Sequence, residues 1–321
     1  MHYLITGGAG FIGSHLAEAL LERGDRVTSL DNLSTGSEAN LRGIADHPGF
    51  SFVHGSVLDQ LLVEEVVGSA DAVVHLAAAV GVRLIVEQPL KSFITNIRGA
   101  EVVLDAARKA GTKTVVTSTS EIYGKNSADQ LSETSDRILG PPSVVRWAYS
   151  TSKAVDEILA QAYHRELGLP TVVVRLFNTV GPRQTGRYGM VVPTFIDQAL
   201  AGESLTVFGN GHQTRCFCLV DDVVAAMIAL LDDDRADGEI YNIGNPEEVS
   251  ITELAERIIA GTGSSSQIRL VPYDEAYEQG FEDMVRRVPD TAKVRELTGW
   301  APKHDLDAIL DLMIDHARRG E

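Results

Sequence analysis

Short runs rich in β-branched and apolar residues alternate with amphipathic runs from the first residues onward. Tyr3 to Thr6, Arg26 to Leu30, Phe50 to His54, Ala72 to Leu76, Thr114 to Ser118 and Thr171 to Arg175 are predicted as strands. Between them Ser14 to Arg23, Glu101 to Ala110 and Ala154 to Leu167 carry helical spacing. Each stops at a glycine (Gly24, Gly111, Gly168) where a left-handed cap is wanted. Strand, helix and strand repeated in this order predict an α/β fold, a doubly wound parallel sheet with helices on both faces. Its ligand is expected at the carboxyl ends of the strands, where the order reverses.

Past Gly181 the rhythm changes, with Pro182, Gly186, Gly189 and Pro193 interrupting the chain. Residues 181–321 are expected to form mainly a smaller, mixed α/β substrate lobe, and residues 1–180 mainly the dinucleotide-binding domain. Some later segments return to the sheet, because the strand-like run Glu239 to Ile243 follows a helix over Asp222 to Leu231. Asp232-Asp233-Asp234 is predicted as a solvated helix end and Gly261 to Ser266 as a loop.

Composition narrows the function. With 44% apolar and 23% charged residues in 321, the chain is an ordinary globular sequence, which excludes collagen-like, coiled-coil and disordered readings. A net charge of −17 repels phosphate backbones and anionic lipid, so neither nucleic acid nor membrane is an expected partner. The two cysteines, Cys216 and Cys218, are expected on one strand face as small core residues without a disulfide. The scattered histidines give no metal-ligand spacing, so no metal is expected. Met1 to Thr6 lacks a basic region followed by a long apolar run, and no stretch approaches about eighteen apolar residues; a cytoplasmic protein is expected.

The first strand runs into Thr6-Gly7-Gly8-Ala9-Gly10-Phe11-Ile12-Gly13 and then a helix. Gly7, Gly10 and Gly13 permit a tight turn, close approach of backbone N–H groups to a pyrophosphate, and tight helix-to-strand packing, while the helix dipole favours the anion. With a strand before it and a helix after it, the run predicts a Rossmann-type dinucleotide site that includes Phe11 and Ile12. Asp31, before Asn32, closes the second strand about twenty residues on, where a carboxylate accepts hydrogen bonds from the adenosine ribose. A 2′-phosphate would meet like charge there, so NAD is the expected cofactor in preference to NADP.

Ser118-Thr119-Ser120-Glu121-Ile122-Tyr123-Gly124 ends the fifth strand, and Tyr149-Ser150-Thr151-Ser152-Lys153 opens a helix. Four residues apart, Tyr149 and Lys153 share a helix face. The ammonium, with a cationic nicotinamide, is expected to lower the tyrosine pKa so that Tyr149 takes a hydroxyl proton as hydride leaves the same carbon. A bland helix surface gives the same spacing; the preceding dinucleotide fold turns the reading towards chemistry. A non-enzymatic dinucleotide sensor on the same fold is the rival, and such proteins commonly lose the tyrosine or the lysine.

With these motifs together, the sequence resembles the extended short-chain dehydrogenase/reductases, in the nucleotide-sugar epimerase, dehydratase and decarboxylase group. The likeness rests on Gly7 to Gly13, His75-Leu76-Ala77-Ala78, Asn96, Ser118 to Gly124, Tyr149 with Lys153, and Arg175 to Arg183, and covers nearly the whole chain. It implies NAD contacts from Leu76, Ala77, Ala78, Asn96, Tyr149 and Lys153. Thr119 is implied to bridge Tyr149 and the sugar 4-hydroxyl, and Ser120, Glu121, Asn178 and Val192 to face the substrate. Thr206 and Phe208 look like the nucleotide-recognition strand, and Arg215 and Arg287 like arginines aimed at the diphosphate or a sugar carboxylate. Ser56 departs from the pattern by standing where the family often has an adenine-contacting aspartate.

Members of the group first oxidise the sugar at C4, and the fate of the ketone distinguishes one activity from another. Glu121, in Thr-Ser-Glu, resembles the glucuronate decarboxylases and some 4,6-dehydratases, whereas Ser120 argues against the dehydratases that use an Asp-Glu pair. Trp147-Ala148-Tyr149, Cys216-Phe217 and Phe281 to Met284 resemble uronate-handling members, and Arg187 offers a further cation beside the sugar. From these the expected activity is NAD-dependent 4-epimerisation of a UDP-sugar, UDP-glucuronate before UDP-glucose. UDP-glucuronate decarboxylation is the close alternative and 4,6-dehydration a lesser one. The resemblance also implies a homodimer through the helices at Ala100 to Ala110 and Ala154 to Leu167.

Overall fold

The β-rich runs of the first half become strands and the amphipathic runs become helices, so the alternation in the sequence is the alternation in space. The computed structural model describes residues 1–80, 88–186, 190–272, 275 and 284–319. In chain order the first half holds β1 (His2–Thr6), α1 (Phe11–Glu22), β2 (Arg26–Asp31), β3 (Phe50–His54), α2 (Gln60–Gly68) and β4 (Ala72–His75). Next come α3 (Pro89–Ala110), β5 (Lys113–Thr119), α4 (Ala148–Leu167) and β6 (Thr171–Leu176). The remainder holds β7 (Thr179–Val180), α5 (Val191–Leu200), β8 (Leu205–Phe208), β9 (Thr214–Cys216), β10 (Cys218–Leu219), α6 (Val220–Leu231) and β11 (Ile240–Ile243). It ends with β12 (Glu248–Ser250), α7 (Ile251–Thr262), β13 (Ile268–Val271), α8 (Ala292–Thr298) and α9 (Leu306–Arg319).

Seven strands form one parallel sheet in the order β11-β6-β5-β4-β1-β2-β3. The order reverses between β1 and β4, the switch point of a Rossmann-type doubly wound fold. Side chains alternate across the sheet as the pleat requires. Tyr3 and Ile5 pack with Leu16 and Leu20 of α1 and Val223 and Met227 of α6, while Leu4 packs on the opposite face with Val103 and Leu104 of α3. Burial on both faces explains why these strands read as continuous apolar runs.

A second core joins Val180, Phe195, Leu205, Phe217, Leu254 and Ile314, drawn from the later part of the chain. Between Leu219 and Ile251, however, the chain returns to the sheet: β11 pairs with β6, setting Tyr241 beside Val174.

Some boundaries differ from expectation for identifiable reasons. α1 starts at Phe11, straight from the glycine turn, and closes at Arg23 before Gly24. α3 begins at Pro89, twelve residues before the predicted Glu101, because a first-turn proline needs no N–H partner. α4 begins at Ala148 and so contains Tyr149. The predicted loop from Gly261 starts only after α7 has run through Thr262. The acidic run is structured and not merely solvated: Asp232 pairs with Arg23 at 2.6 Å, and the Asp233 carboxylate accepts from the Arg235 N–H. Cys216 and Cys218 lie on two short strands separated by Phe217; both are buried free thiols, and burial pushes Cys216 up to about 12.

Candidate active site

A cavity of about 640 Å³ opens at the switch point. Gly7, Gly10, Phe11, Ile12 and Gly13 line one end; Asp31 and Asn32 line another part, and Leu76, Ala77 and Ala78 also line it. Gly7 takes a positive φ of 74°, and a Cβ on Gly13 would fall 2.3 Å from the Gly7 carbonyl oxygen, so helix and turn meet with no room for a side chain. A Cβ on Gly10 would meet only that same oxygen, at 3.0 Å, among the described atoms. This cradle suits a pyrophosphate at the start of α1.

Asp31 Oδ2 accepts from Ala9 N at 3.0 Å and Oδ1 from Leu33 N at 2.8 Å. These bonds fix the carboxylate at the cavity wall. Burial nevertheless raises its pKa, with the backbone donors opposing the shift. Each oxygen retains a lone pair for a ribose hydroxyl, so the residues fit a dinucleotide carrying an unphosphorylated adenosine ribose. Ser56 does not line the cavity; its hydroxyl accepts from Leu58 N in a local turn.

Asn96 is not a wall of this cavity. Its amide accepts from Ala79 N at 2.7 Å and donates to Ser152 Oγ at 3.1 Å, and the residue is 1% exposed. Asn96 therefore braces the Ala79 backbone against α4.

The reactive cluster lies at the carboxyl end of β5. Thr119 caps the 3₁₀ turn Ser120–Tyr123 by accepting from Glu121 N at 3.2 Å, which leaves its hydroxyl proton to donate elsewhere. That turn presents the Glu121 carboxylate to Arg146 Nη1 at 2.5 Å and, more distantly, to Arg287 Nη1 at 3.9 Å. Arg287 also donates to Ser120 Oγ at 3.2 Å. Its segment is held there by Leu131, whose N–H donates to Val288 O at 2.8 Å and whose carbonyl accepts from Asp290 N at 2.9 Å. Ser120, Glu121 and Arg287, distant in sequence, thus come together.

Tyr149 and Lys153 enter from the first turns of α4. Lys153 Nζ donates to Asp156 Oδ2 at 3.0 Å, and both side chains are buried. Burial, then the carboxylates of Glu121 and Asp156, push the Tyr149 phenol well above its ordinary value. The Lys153 ammonium, expected to act on the phenol together with a cationic nicotinamide, is paired here with Asp156.

The remaining expected substrate residues divide. Phe208 is 38% exposed at the end of β8, whereas Val192 is 1% exposed inside the second core, so its side chain packs and does not face a ligand. Thr206 Oγ1 accepts from Gln198 Nε2 at 2.6 Å, and Asn178 Nδ2 donates to Cys216 O at 2.8 Å. Arg215 is largely buried, donating to the carbonyls of Thr214 and Met284 at 2.8 Å. Arg187 and the segment Phe281 to Asp283 lie outside the described residues.

Sequence reasoning missed Arg146, although its position three residues before Tyr149 puts it one turn away from that residue. It also missed the support behind β5. Ser118 Oγ donates to Glu157 Oε1 at 2.5 Å, Arg175 grips both oxygens of Glu157 at 2.9 and 2.8 Å, and Arg175 donates to the Tyr123 hydroxyl at 2.9 Å. Among the described residues no group of three or more His, Cys, Asp or Glu is placed to hold a metal ion, and no helix is long and apolar enough to cross a membrane.

A family profile described as GDP-mannose 4,6 dehydratase matches residues 4–313. The UDP-N-acetyl-alpha-D-glucosaminuronate decarboxylase of Bacillus cytotoxicus is 43% identical over 300 residues, covering 93% of this chain and 92% of its own. UDP-glucuronic acid decarboxylase 3 of Arabidopsis thaliana is 39% identical over 319 residues, covering 99% and 89% respectively. Among solved structures, UDP-glucuronic acid 4-epimerase from Bacillus cereus, in complex with UDP-glucuronic acid and NAD, superposes with a TM-score of 0.89 at 29% identity over 100% of both chains.

Proposed function

Because the chain belongs to the GDP-mannose 4,6 dehydratase family, within the extended short-chain dehydrogenase/reductases that act on nucleotide sugars, we propose that it is an NAD-dependent decarboxylase of a UDP-linked hexuronic acid. The observation that carries this reading is the Glu121, Arg146 and Arg287 cluster on the turn beside Thr119. Similarity to decarboxylases along nearly the full chain supports it and reverses the order expected from sequence, which put 4-epimerisation first.

NAD, held by the glycine turn and Asp31, would supply reversible oxidation at C4 of the sugar. Tyr149 takes the proton of the 4-hydroxyl and returns it, and the Thr119 hydroxyl donates between the phenol and that oxygen. With a ketone at C4 the uronate is a β-keto acid. It loses CO₂ when the bond from C5 to the carboxylate stands perpendicular to the carbonyl plane. Arg287 is assigned to hold that carboxylate through its planar fork, and Glu121, fixed by Arg146, sets where the fork points. One proton is taken up at C5 for each CO₂ released, and the sugar leaves as the pentose. An epimerase needs the opposite, a carboxylate kept in the plane and a ring free to turn over.

In this reading residues 1–180 serve mainly the cofactor and residues 181–321 mainly the sugar nucleotide, with Phe208 against the base and Arg215 near the diphosphate. We further propose a homodimer through the outer faces of α3 and α4.

Incubation with UDP-glucuronate and, separately, with its 2-acetamido analogue, followed by proton NMR, tests the reaction. Loss of CO₂ with a UDP-pentose product is expected from one of the two. A C4-inverted uronate without CO₂ would restore the epimerase reading, and no turnover of either would remove both.

A further inference from the structure

Behind Tyr149 the polar chain continues past Lys153 to a second carboxylate. Asp156 lies one turn beyond Lys153 and two turns beyond Tyr149, so the three share a face of α4. The side chains of Lys153 and Asp156 are 2% and 0% exposed and meet at 3.0 Å, while Asp156 Oδ1 is buried without a hydrogen-bond partner among the described residues. We propose that Asp156 is a positioning residue: it restrains the Lys153 ammonium and, together with it, governs the pH at which Tyr149 gives up its proton when the cofactor binds. This inference rests on the assignment of Tyr149 as proton acceptor.

Two effects work together. An ammonium has three donors, and the bond to Asp156 uses one, so the other two keep a fixed direction for the cofactor ribose and the phenol. The same carboxylate resists formation of a second anion close by, so Tyr149 stays protonated until a cation arrives beside it. Burial, Glu121 and Asp156 all act upward on the phenol.

The surrounding charges are otherwise engaged. Glu157, the next residue on α4, is bound by Arg175 and Ser118. Glu121, on the 3₁₀ turn, is held by Arg146, with Arg287 beyond it. His75 at the end of β4 is kept neutral by burial and by Lys153, which lower it to about 3. α3 contributes the neutral Asn96, joined to Ser152. Among the described residues Asp156 is the group bonded to the Lys153 ammonium.

Calorimetric titration with NAD of the full chain, first stripped of the NAD it carries, in buffers of different ionisation enthalpy across a pH series, reads the protons released on binding. Release is expected in the parent and absent in Tyr149→Phe, which assigns it to the phenol. In Asp156→Asn the midpoint of release should fall by about one pH unit, since removal of a nearby buried anion favours the phenolate. In Asp105→Asn, whose carboxylate pairs with Lys109 at the surface, it should stay at the parent value. Should the asparagine variant not fold, Asp156→Ser removes the same charge, leaves room for water at Lys153, and carries the same expectation. An unmoved midpoint with release lost in Tyr149→Phe overturns this inference alone. Release that persists in Tyr149→Phe, or none from the parent, overturns it together with the role given to the phenol, while the NMR product test still judges decarboxylation separately.

Discussion

Glu121 illustrates how far one carboxylate depends on its neighbours, since the 2.5 Å contact with Arg146 fixes which way it faces and which oxygen remains towards Arg287. Arg146→Ala would let Glu121 turn to Arg287 and compete with the uronate. Loss of one charge-assisted hydrogen bond is worth about 1.5–3 kcal/mol, so kcat/KM should fall roughly ten- to hundredfold, mostly through KM. Steady-state kinetics check this, and an unchanged KM would count against competition. His75 gives a pH prediction of the opposite kind. Burial, then Lys153, lower its pKa to about 3, so the folded protein holds it neutral while the unfolded chain binds a proton near 6.5. Stability from this group is complete above the unfolded value and is lost as pH falls towards the folded one. Between pH 7 and 5 the loss is about 2 kcal/mol. Urea unfolding of His75→Gln at both pH values should show a correspondingly flatter dependence than the parent.

At the scale of elements, the strands were legible because a sheet buried on both faces leaves uninterrupted apolar runs, and Phe50 to His54 matches its predicted bounds. The glycine turn was legible for a geometric reason, since few residues can occupy it. Gly13→Ala would place a methyl 2.3 Å from the Gly7 oxygen and force helix and turn apart. NAD released on denaturing the purified variant should then fall to a small fraction of the parental amount, read by absorbance, while the sheet persists by circular dichroism. The first half of α3 was not legible, because Ser92, Thr95 and Asn96 interrupt its apolar spacing and the reason for Asn96 lies across space on α4. Arg287 was legible as a cation but not as a partner of Ser120; that contact depends on Leu131 pulling in the later segment. Long-range contacts of this kind leave no local period to read.

At the scale of the molecule, the two cores are tied by more than chain continuity. Arg183 donates to both oxygens of Glu18 on α1 at 2.7 and 2.8 Å, and its own N–H donates to His316 on α9 at 3.3 Å. The latch joins the helix that begins at the glycine turn to the second core, so the cofactor cavity, which Arg183 also lines, spans parts that need a fixed relation. On the other side of the sheet α3 and α4 leave Leu90, Ile94 and Ile158 exposed at 73%, 43% and 61%. Leu90 and Ile94, one turn apart, form one apolar edge, which is costly to leave in water on a chain otherwise carrying a charge of −17. A second copy carries the same edge, and a twofold axis lets the two pairs of helices cover each other. Light scattering behind size exclusion should therefore give twice the chain mass. Ile94→Glu with Ile158→Glu should give the single-chain mass while retaining bound NAD, because neither residue lines the cavity. A parent protein that runs as one chain at micromolar concentration would remove the dimer.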